Sequence, residues 1–185
     1  MKKIDAYHYT DSTIKKFNLK HIGKGNDQFG PGIYFSAEPI NGGTKLYKVE
    51  LTPRKLITDR GGFTKKEIVT LMKNSPNLKD KLMDWSENPR EAFQLLLDSI
   101  MDAEDKSEQF QVMWIDVYGV DFSREYLEEL VKLGYDGELI EGSKHLSNKN
   151  KFYVIFNPKV IKIVSVEKRS LLESLLECDN GGLNG

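Results

Sequence analysis

The sequence predicts a mixed α+β domain, and three observations predict it. Short runs rich in β-branched and aromatic residues stand toward both ends of the chain. A stretch at about 64–104 carries Leu, Met, Lys, Glu and Asp with apolar residues at helical spacing. No internal repeat or low-complexity tract breaks the pattern. With 185 residues, 21.2 kDa and 39% apolar residues, a single domain over 1–185 buries enough surface to hold a core without disulfides or a structural metal.

In chain order, residues 3–9 (KIDAYHY) read as a strand, and 12–19 as a short helix with Ile14 and Phe17 on one face. Four glycines and a proline make 23–32 a loop that delivers the chain into a strand at Ile33–Ser36. A turn at Asn41, Gly42 and Gly43 precedes a strand at Lys45–Leu51. The helical stretch follows, with apolar positions at Ile68, Leu71 and Met72 and again at Phe93, Leu96, Leu97 and Ile100, and with breaks at Pro76 and Pro89. Residues 110–118 suit either a strand or the start of a buried helix.

A helix over 123–133 takes Ser123 as its N-cap and Gly134 as its stop. Tyr135, Asp136 and Gly137 read as a turn, with Asp136 as its turn residue. Residues 138–141 and a polar loop (GSKHLSNKN) lead to FYVIF at 152–156, the strongest strand in the chain. Such a segment is an aggregation hazard if exposed, so it belongs in the centre of the sheet. Asn157 and Pro158 close it, 160–166 gives one more strand, and 171–185 reads as a short amphipathic helix fraying into a flexible tail at about 179–185.

Charge narrows the function classes. The formal net charge of −1 argues against binding nucleic acid through bulk electrostatics. The balance is uneven, with 11 Lys/Arg against 6 Asp/Glu in residues 1–60 and 16 against 22 thereafter. The basic part suits an anionic small ligand, and equally a solvated lysine-rich face. The lone Cys178 fits a reducing compartment, and no apolar run approaches the roughly 20 residues that span a bilayer, so a cytoplasmic protein with no membrane partner is expected. His8, His21 and His145 lack metal-ligand spacing, so no metal is expected. The 23–32 loop lacks the Lys-Ser/Thr ending of a phosphate-binding P-loop.

Two pieces carry candidate chemistry. Tyr7-His8-Tyr9-Thr10 places a polar histidine at the end of a core-like strand, as either a structural or a functional group. Phe29-Gly30-Pro31-Gly32-Ile33-Tyr34-Phe35-Ser36 allows close backbone approach to a ligand at its glycines and offers the flat ring of Tyr34, though an ordinary turn before a core strand looks the same. Tyr34 and Ser36, two apart, point the same way.

Taken together, YHYT, FGPGIYFS some 25 residues later, GYDG, and FYVIFNP followed by an Ile-Lys-Ile strand resemble the ADP-ribosyltransferase superfamily, in its small phage-associated and polymorphic-toxin branches. The resemblance covers about 4–50 and 125–165, and leaves 54–122 as a helical insertion. It implies a split antiparallel β-sheet clasping NAD as cosubstrate. It further implies a mono-ADP-ribosyltransferase, a glycosyltransferase in class, acting as a phage or mobile-element effector on a macromolecule inside a bacterial host, with a protein the expected target.

By the same resemblance, His8 would hydrogen-bond the ribose hydroxyl of the adenosine half of NAD and the backbone of Tyr9 would hold the nicotinamide amide. Tyr34 would stack on the nicotinamide ring, with Thr10, Gly32 and Ser36 completing the NAD contacts. Cleavage of the ribose–nicotinamide bond develops an oxocarbenium-like cation, which a site of this kind need only hold and stabilise. Many relatives place a glutamate directly before the YVIFNP strand, where this chain has Phe152. Glu141 is the preferred substitute, and Glu138 is expected to face water. Phe152 also opens an alternative, a catalytically inactive domain that binds NAD, ADP-ribose or a partner protein. A pure interaction protein acting through its helical middle is a further rival.

Overall fold

Alternating apolar residues build a sheet whose two halves are barely joined. The computed structural model describes residues 2–20, 22, 30–40, 43–58, 62–103, 106–141 and 151–168. The expectations for 23–29, for the 142–150 loop, for Asn41 and Gly42 and for the C-terminal helix and tail lie outside the described residues, as do His21, His145 and Cys178.

Seven strands form one mixed, mostly antiparallel sheet: β1 (Ile4–Thr10), β2 (Ile33–Ser36), β3 (Lys45–Leu51), β4 (Leu56–Ile57), β5 (Gly137–Ile140), β6 (Phe152–Ile155) and β7 (Ile161–Lys168). Their order is β4-β5-β6-β2-β1-β3-β7, with only β4 and β5 parallel. The FYVIF segment lies inside the sheet, between β5 and β2, as its composition predicts. The short β4 was not foreseen, because two residues carry no periodic signal.

The ladders are unequal. β1 and β3 pair along their whole length, from Ile4↔Leu51 to Thr10↔Lys45, and β2 pairs β6 from Ile33↔Ile155 to Ser36↔Phe152. β1 and β2 share a single register pair, Tyr7↔Ser36. The sheet is thus two ladders, β4-β5-β6-β2 and β1-β3-β7, stitched at one point.

The middle of the chain is helical beyond its expected end at 104. It runs through α1 (Lys65–Asn74), α2 (Leu78–Met83), α3 (Pro89–Met101) and α4 (Lys106–Val112), which continues as a π-helical stretch, Met113–Tyr118, before a 3-10 turn and α5 (Ser123–Lys132). The ambiguity at 110–118 resolves as helix because Phe110, Met113, Trp114 and Val117 recur at the spacing of one helix face and are buried. Thr64 and Glu67 form a capping box at the start of α1. Ser75, before Pro76, is extended and ends that helix, while Pro89 opens α3 behind an Asn88 cap.

Two local expectations are corrected. Ser123 is the first helical residue of α5 rather than its N-cap; its hydroxyl accepts from Trp114 Nε1 at 2.8 Å instead of from the helix backbone. Residues 12–19 form no helix. Their backbone is claimed elsewhere: Tyr47 Oη accepts from Ile14 N–H at 2.7 Å, and the Phe17 ring packs into an aromatic cluster, so tertiary contacts override a weak local preference. The stop at Gly134 stands. Its φ is +92°, and the amides of Gly134 and Tyr135 donate to the carbonyls of Val131 and Leu130, closing α5 in a Schellman motif.

Two apolar cores result. Helices α1, α3, α4 and α5 bury Ile68, Leu71, Leu96, Ile100, Phe110 and Leu130 together with Ile57 and Phe156 of the sheet side. The other core gathers Ala6, Phe17, Phe35, Tyr47, Val49 and Tyr153. Strand alternation separates them, since Phe156 joins the first core and Tyr153 and Ile155 the second.

Asp136 ties together the connections that follow β3 and β6 and is more than a turn residue. Its fully buried carboxylate accepts from Arg54 Nε at 2.9 Å, Arg54 Nη2 at 2.8 Å, the Arg54 amide at 2.7 Å and Asn157 Nδ2 at 2.6 Å. Burial by itself would raise its pKa. The hydrogen bonds from Arg54 and Asn157 outweigh burial and hold it below the usual carboxylate value.

Candidate functional site

A cleft opens where β1 and β2 part. Past Tyr7↔Ser36 the ladder ends, and the His8 imidazole reaches across: Nδ1 lies 2.8 Å from the carbonyl oxygen of Tyr34. A carbonyl only accepts, so Nδ1 carries the proton. Burial, the larger influence, lowers the His8 pKa below its ordinary value, and the bond to Tyr34 offsets part of that. The ring is therefore neutral at pH 7, and its Nε2 is a hydrogen-bond acceptor.

Two rings pack on that imidazole and a third backs them. Phe17 meets it edge-on with centroids 5.2 Å apart, Phe35 is tilted at 5.6 Å, and Phe17 in turn packs on Phe35 at 5.1 Å and on Tyr47 at 6.0 Å. His8, Phe35 and Tyr47 share one face of the sheet, because His8 pairs with Tyr47 in the β1–β3 register.

The cleft has a volume of about 790 Å³. β1 contributes His8 and Thr10, the start of β2 contributes Gly32, Ile33 and Tyr34, and residues 12–18 form the third side, with Lys15 and Lys16 among them. This volume falls in the range of roughly 300–1,000 Å³ typical of small-molecule and cofactor sites. An acceptor nitrogen, hydroxyls and two lysines are also the chemistry that the hydroxyls and phosphates of a nucleotide require.

His8, Thr10, Gly32 and Tyr34, distant in sequence, thus border one cleft. Tyr34 leaves β2 on the face opposite Phe35, and its hydroxyl donates to the Gly30 carbonyl at 2.6 Å, so its ring and the His8 ring leave opposite faces of the sheet and the two residues meet through the Tyr34 backbone. Gly30 has φ +100°, and a Cβ there would lie 2.2 Å from the Phe110 ring, so that turn requires glycine. Tyr9 and Ser36 are not among the described residues that line the cleft. Ser36 is 2% exposed, with Oγ 3.5 Å from the Tyr7 carbonyl oxygen.

The carboxylates lie elsewhere. Glu141, just past β5, forms an ion pair with Lys151 and is not a described lining residue. Two strands, β6 and β2, separate β5 from β1. Glu138 does not face water: it is 1% exposed, because alternation along β5 turns residues 138 and 140 inward. Glu138 pairs with Val154, which pairs with Tyr34, so these three occupy one row across the sheet. Phe152 stands directly opposite Ser36, one step along the same face as Tyr34.

Sequence reasoning missed Lys15 and Lys16. The signal was present in the basic bias of the first 60 residues, but not its location. No protein-family model, curated protein or solved structure matches this chain. Among the described residues no helix is long and apolar enough to cross a membrane, and no group of three or more His, Cys, Asp or Glu could hold a metal ion.

Proposed function

We propose that the protein is a NAD-dependent mono-ADP-ribosyltransferase, an effector of phage or mobile-element type that modifies a host macromolecule. The observation that carries this reading is the junction of His8 and Tyr34, 26 residues apart, bonded at 2.8 Å on the border of one nucleotide-sized cleft. The parting of β1 from β2 supports it, since a split sheet is what the family resemblance implies.

In this reading the His8 Nε2 lone pair accepts from a ribose hydroxyl of NAD, with Thr10 beside it, and the Tyr34 segment borders the nicotinamide. The bond from ribose C1′ to the nicotinamide nitrogen breaks, and its electron pair leaves with neutral nicotinamide. An acceptor group then bonds to C1′ and gives up its proton. Aligned hydrogen-bond acceptors stabilise the cation that develops between these events. Glu141 is the acid the resemblance offers for steadying this charge, although its ion pair with Lys151 lies away from the lining residues.

A second reading, binding of NAD or ADP-ribose without transfer, is favoured by Phe152 at the position of the usual acid and by the pairing of Glu141 away from the lining residues. Mass spectrometry of nicotinamide released from NAD separates the two. The transferase reading expects release by the unaltered protein and a loss of about 100-fold in Glu141→Gln with NAD affinity preserved. Binding without any release supports the second reading and overturns the first.

A further inference from the structure

The first 60 residues are rich in Lys and Arg, and five of the nine described there are already engaged. Lys3 pairs with Glu50 at 2.9 Å, Lys48 with Asp5 at 3.2 Å, Arg54 with Asp136 at 2.8 Å and Lys55 with Glu67 at 3.2 Å, while Lys45 donates to the Asp11 carbonyl. Lys15 and Lys16 differ. Both are exposed, both line the cleft, and among the described residues neither has a carboxylate within salt-bridge distance.

The segment that carries them is anchored on both sides. Tyr47 Oη holds the Ile14 amide at 2.7 Å, and Phe17 is 5% exposed with its ring against His8. Two adjacent cations are thereby held on the same cleft as a histidine that can only accept at its free nitrogen. Like charges side by side repel unless an anion joins them. Ammonium groups on such a rim bind phosphate as point charges, and do so more strongly where the neighbouring walls exclude water.

We infer that Lys15 and Lys16 form the anion subsite of the cleft and bind the diphosphate of a nucleotide whose ribose hydroxyl meets His8. The identity of the ligand rests on the transferase reading above; the subsite itself rests on the two lysines. Lys15 and Lys16 therefore set the requirement for a phosphorylated ligand, while His8 sets the requirement for a sugar.

Calorimetry on the full chain at low salt tests this, with ADP, inorganic pyrophosphate and adenosine as probes. ADP is expected to bind the unaltered protein and to bind a Lys15→Gln, Lys16→Gln double variant at least tenfold more weakly. Adenosine should bind both alike, and a Lys15→Arg, Lys16→Arg variant should retain ADP. Equal ADP affinity in the unaltered and Gln proteins, or no ADP binding by the unaltered protein, overturns the inference. Nicotinamide release measured on the same samples keeps the two claims apart. Lysine-dependent ADP binding without release sinks the transferase and leaves the subsite, whereas release with an unchanged KM in the Gln variant does the reverse.

Discussion

The Nδ1 of His8 donates to the backbone carbonyl of Tyr34 at 2.8 Å, across the point where β1 and β2 stop pairing. One side chain therefore closes the gap that a ladder bond would otherwise fill, and it leaves its second nitrogen as an acceptor. The pH behaviour of the site follows. The ordinary histidine value is about 6.5, and burial lowers it in the folded protein. The unfolded chain binds the proton more readily, so the stability contributed by neutral His8 is complete above that ordinary value and is lost as pH falls through the depressed one. NMR titration of the His8 ring should give a midpoint below that of a model peptide, and NAD affinity should hold level as pH falls through the ordinary histidine value and decline only at the depressed one.

His8→Ala removes the acceptor nitrogen and the bridge to Tyr34 together. Nicotinamide release should fall on the order of 100-fold, with far-UV circular dichroism unchanged. Release at the parental rate would remove His8 from the site.

Phe17 couples the cleft to the core. Phe17→Ala deletes a ring packed on His8, Phe35 and Tyr47, and should cost about 3 kcal/mol of stability. It should also weaken ADP binding in protein that remains folded, because the lysine-bearing segment loses its anchor. Chemical denaturation and calorimetry on one preparation check both effects.

Asp136 is the principal polar joint of the fold. Asp136→Ala strands the buried end of the Arg54 contact and leaves Asn157 without its acceptor. A loss of about 2 to 3 kcal/mol is expected, somewhat below the cost for a fully buried pair because the Arg54 side chain is half exposed. The folded pKa of Asp136 is lowered, so its contribution is present above the ordinary carboxylate range and disappears as pH falls through the depressed value. Urea midpoints for parent and variant should therefore converge in strong acid.

Phe152 pairs with Ser36 on the face that carries Tyr34. A carboxylate placed there by Phe152→Glu stands where the family resemblance expects one. It should raise nicotinamide release about tenfold, even at some cost in stability. An unchanged or lower rate in a folded variant would show that position 152 does not face the reacting ribose.

Much of this architecture was legible because punctuation and alternation were strong. Ile33–Ser36 and Lys45–Leu51 are bounded by glycine-rich turns and emerge at those limits. Proline and glycine likewise marked the ends of α1 and α5 and the start of α3. What failed depended on distant partners. Residues 12–19 lost their helix to Tyr47 and Phe17 contacts, Asp136 found Arg54 at a separation of 82 residues, and Glu138 was turned inward by an alternation that its own loop-like context concealed. At the cleft, His8 stood out as a polar residue on a core-like strand and Tyr34 as a ring just after a glycine-rich loop, whereas Lys15 and Lys16 looked like ordinary surface lysines until the 12–18 segment folded against the cleft.

The central claim is that NAD occupies the cleft between β1 and the start of β2. Titration of isotope-labelled protein with NAD, followed through the His8 ring and the backbone amides of Thr10 and Gly32, tests it most directly. Saturable shifts of these signals, giving one common dissociation constant, are predicted. Binding that leaves the His8 ring unmoved, or no binding at millimolar NAD, would contradict the account.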